Sequence, residues 1–155
     1  MRVLRVYLDT SVVGGCFDDE FADASTKLIE TACSGAVRAL ISDTLVAEIA
    51  GAPMQTRETL RRLIDTGGER LLLTPECEDL RDGYLSARIV SRKYADDAMH
   101  VAHATIARAD VIASWNFKHL LKPMRIRGFN GVNTARGYGA VLIMTPEDIV
   151  KGLEA

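Results

Sequence analysis

The feature that most constrains this chain is the texture of its strand-like segments. "VLRVYLD", ending at Asp9, "AVRALIS", ending at Ser42, and "DVIASW", ending at Trp115, are apolar at most positions and rich in branched residues. A strand with one wet face would alternate apolar with polar residues, so runs of this kind need cover on both sides, as in a parallel sheet wrapped by helices.

The intervening segments supply those helices. "FADASTKLIETACSG" has helical spacing and a glycine stop, "DTLVAEIAG" is a short helix started by Ser42 or Asp43, and "QTRETLRRLIDTGG" is amphipathic and closes on two glycines. "ERLLLT" reads as a further strand. Thr74 before Pro75 is a strong start signal for the next helix. "DDAMHVAHATIARA" follows as another helix, and the tail gives a short strand and a helix started at Thr145-Pro146, with Asp148 placed for a capping box. The "TSVVGG" stretch after the first strand reads as a loop, and "RGFNGVNTARGYG" as a long surface loop. The expected fold is α/β: a three-layer α/β/α sandwich with a mainly parallel central sheet. At 155 residues, of which 48% are hydrophobic, residues 1–155 are expected to form a single domain with a substantial core.

Three cysteines, Cys16, Cys33 and Cys77, are widely spaced and form no C-x-x-C pair, which argues against a disulfide framework or a thiolate zinc site. The N-terminal apolar run is short and broken by Arg5, and no stretch is long enough to span a bilayer, so a cytoplasmic protein is expected. Net charge is −2, without the overall basic footprint of a protein that holds nucleic acid by charge alone. Basic residues gather locally at Arg57, Arg61 and Arg62, and again at Lys118, His119, Lys122, Arg125 and Arg127.

Ligands of an open parallel sheet bind beyond the carboxyl ends of its strands. That rule selects Asp9 after the first strand, Glu48 on the short helix after the second, Asp96 and Asp97 at a helix start, and Ser114 and Asn116 after the fourth strand. Each has a purely local use: Asp9 in an Asx turn, Asp97 at a positive helix end, Glu48 on the surface, Asn116 in a tight turn. Clustered acids repel and need a cation between them, however, and all-oxygen ligands suit Mg²⁺ or Mn²⁺. A rival centre would use His100 and His103, one helical turn apart, as imidazole ligands. No P-loop, G-x-G-x-x-G or G-x-S-x-G occurs. An aspartyl-phosphate hydrolase would want a second Asp in "DTS", and a receiver domain an Asp ending "ERLLLT"; both are missing.

The order "YLDTSVVGG", "TLVAEI", "DDAMHVAHA", "IASWNFKHL" resembles the PIN-domain nucleases, including VapC-type toxins of toxin–antitoxin modules, from Val3 to about Met144. That resemblance implies metal-binding acids at Asp9, Glu48 and Asp97, with Asp9 and Asp97 as the principal metal ligands and Ser114 as the small hydroxyl beside them. Thr10 and Asp96 stand as supporting neighbours. Asn116 occupies a position where the family often has Asp, and is expected to act as a neutral ligand or water orienter. The implied activity is Mg²⁺- or Mn²⁺-dependent cleavage of RNA, with Lys118, His119, Lys122, Arg125 and Arg127 on the RNA backbone. The implied partners are an antitoxin protein and a second copy of the chain in a homodimer. The alternative is a PIN-like module of weak catalysis that binds RNA or protein.

Overall fold

The structure, a computed structural model, describes residues 2–154. Five strands form one all-parallel sheet: β1 (Leu4–Leu8), β2 (Val37–Ser42), β3 (Glu69–Leu71), β4 (Val111–Ala113) and β5 (Ile143–Met144), in the order β3-β2-β1-β4-β5. The expected three-layer α/β/α arrangement follows from which way the strand residues point. Val6 and Leu8 of β1, Val37, Ala39 and Ile41 of β2, and Val111 and Ala113 of β4 enter one core. Tyr7, Leu40 and Ile112, the alternate residues of the same strands, enter the other. This is why those runs lack polar positions.

The first core is closed by α1 (Thr10–Gly15), α2 (Ala22–Cys33), α3 (Asp43–Ile49), α4 (Met54–Asp65) and α8 (Pro146–Glu154). The second is closed by α5 (Pro75–Ser86), α6 (Ala95–Ile106) and α7 (Pro123–Ala135). Two expected starts are realised in detail: the Thr74 side chain accepts from the Cys77 amide with Pro75 in the first turn of α5, and the Thr145 hydroxyl accepts from the Asp148 amide at 3.1 Å. Among the described residues no helix is long and apolar enough to cross a membrane.

Two segments expected as loops are helices. "TSVVGG" forms α1 because Asp9 caps it, accepting the Val12 amide at 3.2 Å, and Val12, Val13 and Gly15 are buried. Most of the Gly-rich stretch is α7, whose glycines serve packing. A Cβ at Gly128 would lie 2.7 Å from Ile89 Cδ1, so its absence lets helix and loop approach. Phe129 and Asn133, one turn apart, are buried; Asn133 accepts the Tyr84 hydroxyl at 2.5 Å and donates to Thr105 Oγ1 at 3.2 Å.

Gly15 sets the closest approach beside the strand ends. A Cβ there would meet Ser25 Oγ at 2.6 Å and Trp115 Nε1 at 3.1 Å, atoms already joined by a 2.8 Å hydrogen bond. Gly15→Ala is therefore expected to destabilise the fold by about 1–3 kcal/mol, as overpacking does. Chemical denaturation checks this, and an unchanged midpoint would show that Ser25 and Trp115 yield freely.

Candidate active site

The chain lays β2 and β3 on one side of β1, then β4 and β5 on the other, so the strand order reverses between β1 and β4. Beyond their carboxyl ends lies the crevice where such sheets hold ligands. Asp9 leaves β1 and Ser114 leaves β4 at that point. Asp9 is 4% exposed; its Oδ1 accepts the Ser11 hydroxyl at 2.6 Å and the Val12 amide, and its Oδ2 accepts the Ser114 hydroxyl. Ser114 Oγ also accepts the Asn116 amide at 2.9 Å, and Ser11 Oγ the Trp115 amide at 2.9 Å. The two strand ends are thus stitched together through one carboxylate.

Glu48 reaches the same edge from α3, a helix capped by Ser42, whose hydroxyl accepts the Leu45 amide at 3.1 Å. Its Oε2 accepts the Thr10 hydroxyl, and its Oε1 lies 2.9 Å from His100 Nε2. Asp97 stands in the first turn of α6, half-buried, while Asp96 beside it is exposed. Asp96 lines a groove of about 510 Å³ with Thr44, Glu48, Leu73, Arg81 and Met99. Asn116 Oδ1 accepts the His119 amide at 2.9 Å, so its carbonyl oxygen already closes the turn after β4.

The acids differ in electrostatics. Burial pushes the Asp9 carboxyl above its ordinary range, against the pull of the His100 charge and the hydrogen bonds of Ser11, Ser114 and Val12. Burial raises Asp97 too, against the charges of His119 and His100 and the hydrogen bond of Asn116. For Glu48 burial also pushes upward, but the hydrogen bond and charge of His100, with the Thr10 hydroxyl, outweigh it and leave its carboxyl below the usual range. Among the described residues no Lys or Arg pairs with any of these three acids.

Such a set fits a hard cation that keeps much of its water. Among the described residues no three His, Cys, Asp or Glu side chains gather into a tight metal cage. Mg²⁺ and Mn²⁺ do not need one, since one or two carboxylates plus waters and a phosphate suffice. The di-histidine alternative fails because every ring nitrogen is engaged. His100 Nδ1 meets the Tyr7 hydroxyl at 2.5 Å and its Nε2 meets Glu48; His103 Nε2 meets Thr44 Oγ1 at 2.9 Å and its Nδ1 meets Cys77 Sγ at 3.7 Å.

Of the basic segment, Lys118, Lys122 and Arg127 are exposed and Arg125 is half-buried; among the described residues none of the four is in an ion pair. His119 is 8% exposed and packs on Tyr94, ring centroids 3.7 Å apart, with Nδ1 buried and unpartnered. The Arg57–Arg62 patch is partly structural: Arg62 grips both Glu30 oxygens, at 2.6 and 2.7 Å.

A sequence profile described as "PIN domain" matches residues 5–118, most of the chain. The chain belongs to the PIN-domain family. PIN domains are generally nucleases, and the all-parallel α/β/α layout agrees with the family fold. A chain of VapBC2 from Rickettsia felis, in a crystal structure of that complex bound to a DNA fragment from their promoter, superposes with a TM-score of 0.55 at 13% identity. The alignment covers 92% of this PIN domain and 98% of that chain, and at this identity it speaks to the fold. No curated protein sequence matches this PIN domain.

The sequence offers His100 as an imidazole ligand of a rival centre, and the structure makes it the partner of Glu48 instead. His100 touches Glu48 and is 2% exposed, and the signal for it was its place one turn after Asp97 on the same helix face.

The raised carboxyl of Asp97 carries a pH prediction. Because its pKa is higher folded than unfolded, the native state holds the proton more readily, and stability falls as pH rises through the folded value. Asp97→Asn is expected to melt above the wild type at pH 7 in EDTA, with the gap closing as pH drops through the carboxylate range. A variant that melts lower at pH 7 would contradict this account.

Proposed function

We propose that this PIN domain is an endoribonuclease that hydrolyses RNA phosphodiester bonds with Mg²⁺ or Mn²⁺ and acts as the toxin of a toxin–antitoxin pair. The observation that carries it is that two desolvated acids, Asp9 and Asp97, have no Lys or Arg partner among the described residues and both face His100, the imidazole that meets Glu48, which is itself tethered at both oxygens. Desolvated acids whose opposing charges come from imidazoles, His100 for both and His119 for Asp97, cost the fold stability that a bound cation would offset.

In this reading Asp9 and Asp97 hold the cation, which supplies positive charge against the phosphodiester and makes nearby water more acidic. Glu48, kept ionised by His100 and Thr10, orients the attacking water and accepts its proton. Asn116 fixes the turn after β4, and Ser114 holds Asp9 in place. Water adds to phosphorus, the bond to the 3′ oxygen breaks and that oxygen takes up a proton, leaving a 5′-phosphate and a 3′-hydroxyl. Lys118, Lys122, Arg125 and Arg127 follow directly on the site and meet the RNA backbone, with His119 supporting the loop from beneath. The likeness to a VapBC2 chain supports an antitoxin partner for this chain in this reading, and a homodimer is the assembly that the family resemblance leads us to expect.

Asn116 favours a second reading, a PIN-like module of weak catalysis that binds RNA or protein, since its oxygen is committed to the His119 amide and it brings no negative charge. Cleavage assays separate the two. Purified protein, free of any bound partner, should cut RNA in Mn²⁺ or Mg²⁺ and not in EDTA, and Asp97→Asn should lower the rate by about 10²–10⁴-fold while remaining folded. Wild-type activity in EDTA, or in the folded variant, would refute the role of the acids.

The basic segment gives an independent expectation. Reversing Lys118 and Lys122 to Glu should weaken RNA binding and flatten the slope of log affinity against log salt by roughly 0.7 per lost contact. Calorimetric Mn²⁺ binding should not change, and unaltered RNA affinity would remove this segment from the interface.

A further inference from the structure

A continuous buried chain of polar side chains runs from the sheet to Glu48. Ser42 Oγ lies 2.7 Å from the Tyr7 hydroxyl, that hydroxyl lies 2.5 Å from His100 Nδ1, and His100 Nε2 lies 2.9 Å from Glu48 Oε1. Ser42, Tyr7 and His100 are all at most 2% exposed. Tyr7 is also wedged against both histidines of α6, edge-on to His100 with centroids 5.6 Å apart and stacked on His103 at 6.4 Å. Rings packed this tightly have one orientation.

Hydrogen accounting fixes the end of the chain that meets Glu48. An ionised Glu48 only accepts, so the nitrogen facing it, Nε2, must carry a hydrogen. A neutral imidazole accepts at Nδ1 from the Tyr7 hydroxyl, which accepts in turn from Ser42, whereas an imidazolium donates from Nδ1 to Tyr7; in both forms Nε2 donates to Glu48. Ser42 Oγ still has a lone pair for the Leu45 amide of α3. Every group is satisfied, and both ends of the chain lie on or against α3, the helix that carries Glu48. The opposite tautomer would set a nitrogen lone pair against a carboxylate oxygen. Thr10 fixes the second Glu48 oxygen from α1, so the carboxylate is held from two elements, α1 and α6.

We propose that His100, anchored by Tyr7 and Ser42, is a positioning residue that fixes the orientation of the Glu48 carboxylate through an Nε2–H donor. This rests on the nuclease reading above for its consequence in catalysis, and on the geometry alone for the hydrogen bond. His100 acts through Glu48, so its removal should lower the rate of the chemical step without loosening RNA binding.

Two measurements decide it. In cleavage assays His100→Ala should lower kcat roughly 10- to 100-fold with KM within about twofold. His100→Gln, whose amide nitrogen can stand where Nε2 stood, should recover most of that loss, and Tyr7→Phe should fall between. In a Glu48→Gln background, adding His100→Ala should cost almost nothing more. An additive loss, or no rescue by Gln, would mean that His100 is only a packing residue. Should the Ala variant not fold, the Gln and Phe variants carry the same comparison. In parallel, the imidazole nitrogen resonances of the metal-free, RNA-free protein should show hydrogen on Nε2, shifting in Glu48→Gln; an Nδ1–H tautomer overturns the proposal outright. If the wild type cut no nucleic acid, the nuclease reading would fall, while these resonances would still decide whether His100 holds Glu48.

Discussion

The burial of the Asp9 carboxylate at the reversal of strand order is the constraint on which the rest of the site depends. Taking a carboxylate out of water costs several kcal/mol, and hydrogen-bond donors must offset it. Here they come from Ser11, the Val12 amide and Ser114. Because Ser114 belongs to the end of β4 and Val12 to α1, satisfying this one group also registers two adjacent strands and starts a helix. The short α1 exists on that basis: without Asp9 as its cap, "TSVVGG" has two glycines and two β-branched valines, poor material for a helix.

The three acids at this edge divide into two kinds. Glu48 is compensated, by an imidazole on one oxygen and a hydroxyl on the other, and its carboxyl lies low. Asp9 and Asp97 are left raised by burial. An acid that orients water needs a fixed, ionised carboxylate, whereas acids that hold a cation are served by a deficit that the cation itself removes. The electrostatics therefore support the different roles proposed for Glu48 and for Asp9 and Asp97, which residue type alone leaves identical.

Much of this was legible in the chain and some was not, for physical reasons. The strands announced themselves because both of their faces are buried, and Thr74-Pro75 marked its helix because capping is local chemistry. The acids could be placed at one edge because the topology of a parallel sheet leaves them nowhere else to go. Helix α7 was hidden because glycines that permit close packing, as Gly128 does against Ile89, look like glycines that permit a turn. The contact of His100 with Glu48 was hidden because its partners, Tyr7 and Glu48, are remote in sequence, and a histidine in an apolar helix looks the same whether it binds a metal, is merely satisfied or holds a carboxylate.

The site is held by two periodicities that must agree. Tyr7 of β1 and Asp9, just past its end in extended backbone, lie two positions apart, so the strand and its exit offer the anchor of His100 and the first acid from one side. On α6, Asp97 and His100 lie three positions apart, so one helix face offers the second acid and the clamp on Glu48. The strand repeat and the helix repeat coincide only if α6 sits on the sheet at one rotation and one height. Tyr7 enforces this by filling the space against His100 and His103 together. A shift of α6 large enough to move Asp97 would therefore break the Tyr7–His100 contact as well, and the placement of the acids is tied to the packing of the core beneath them.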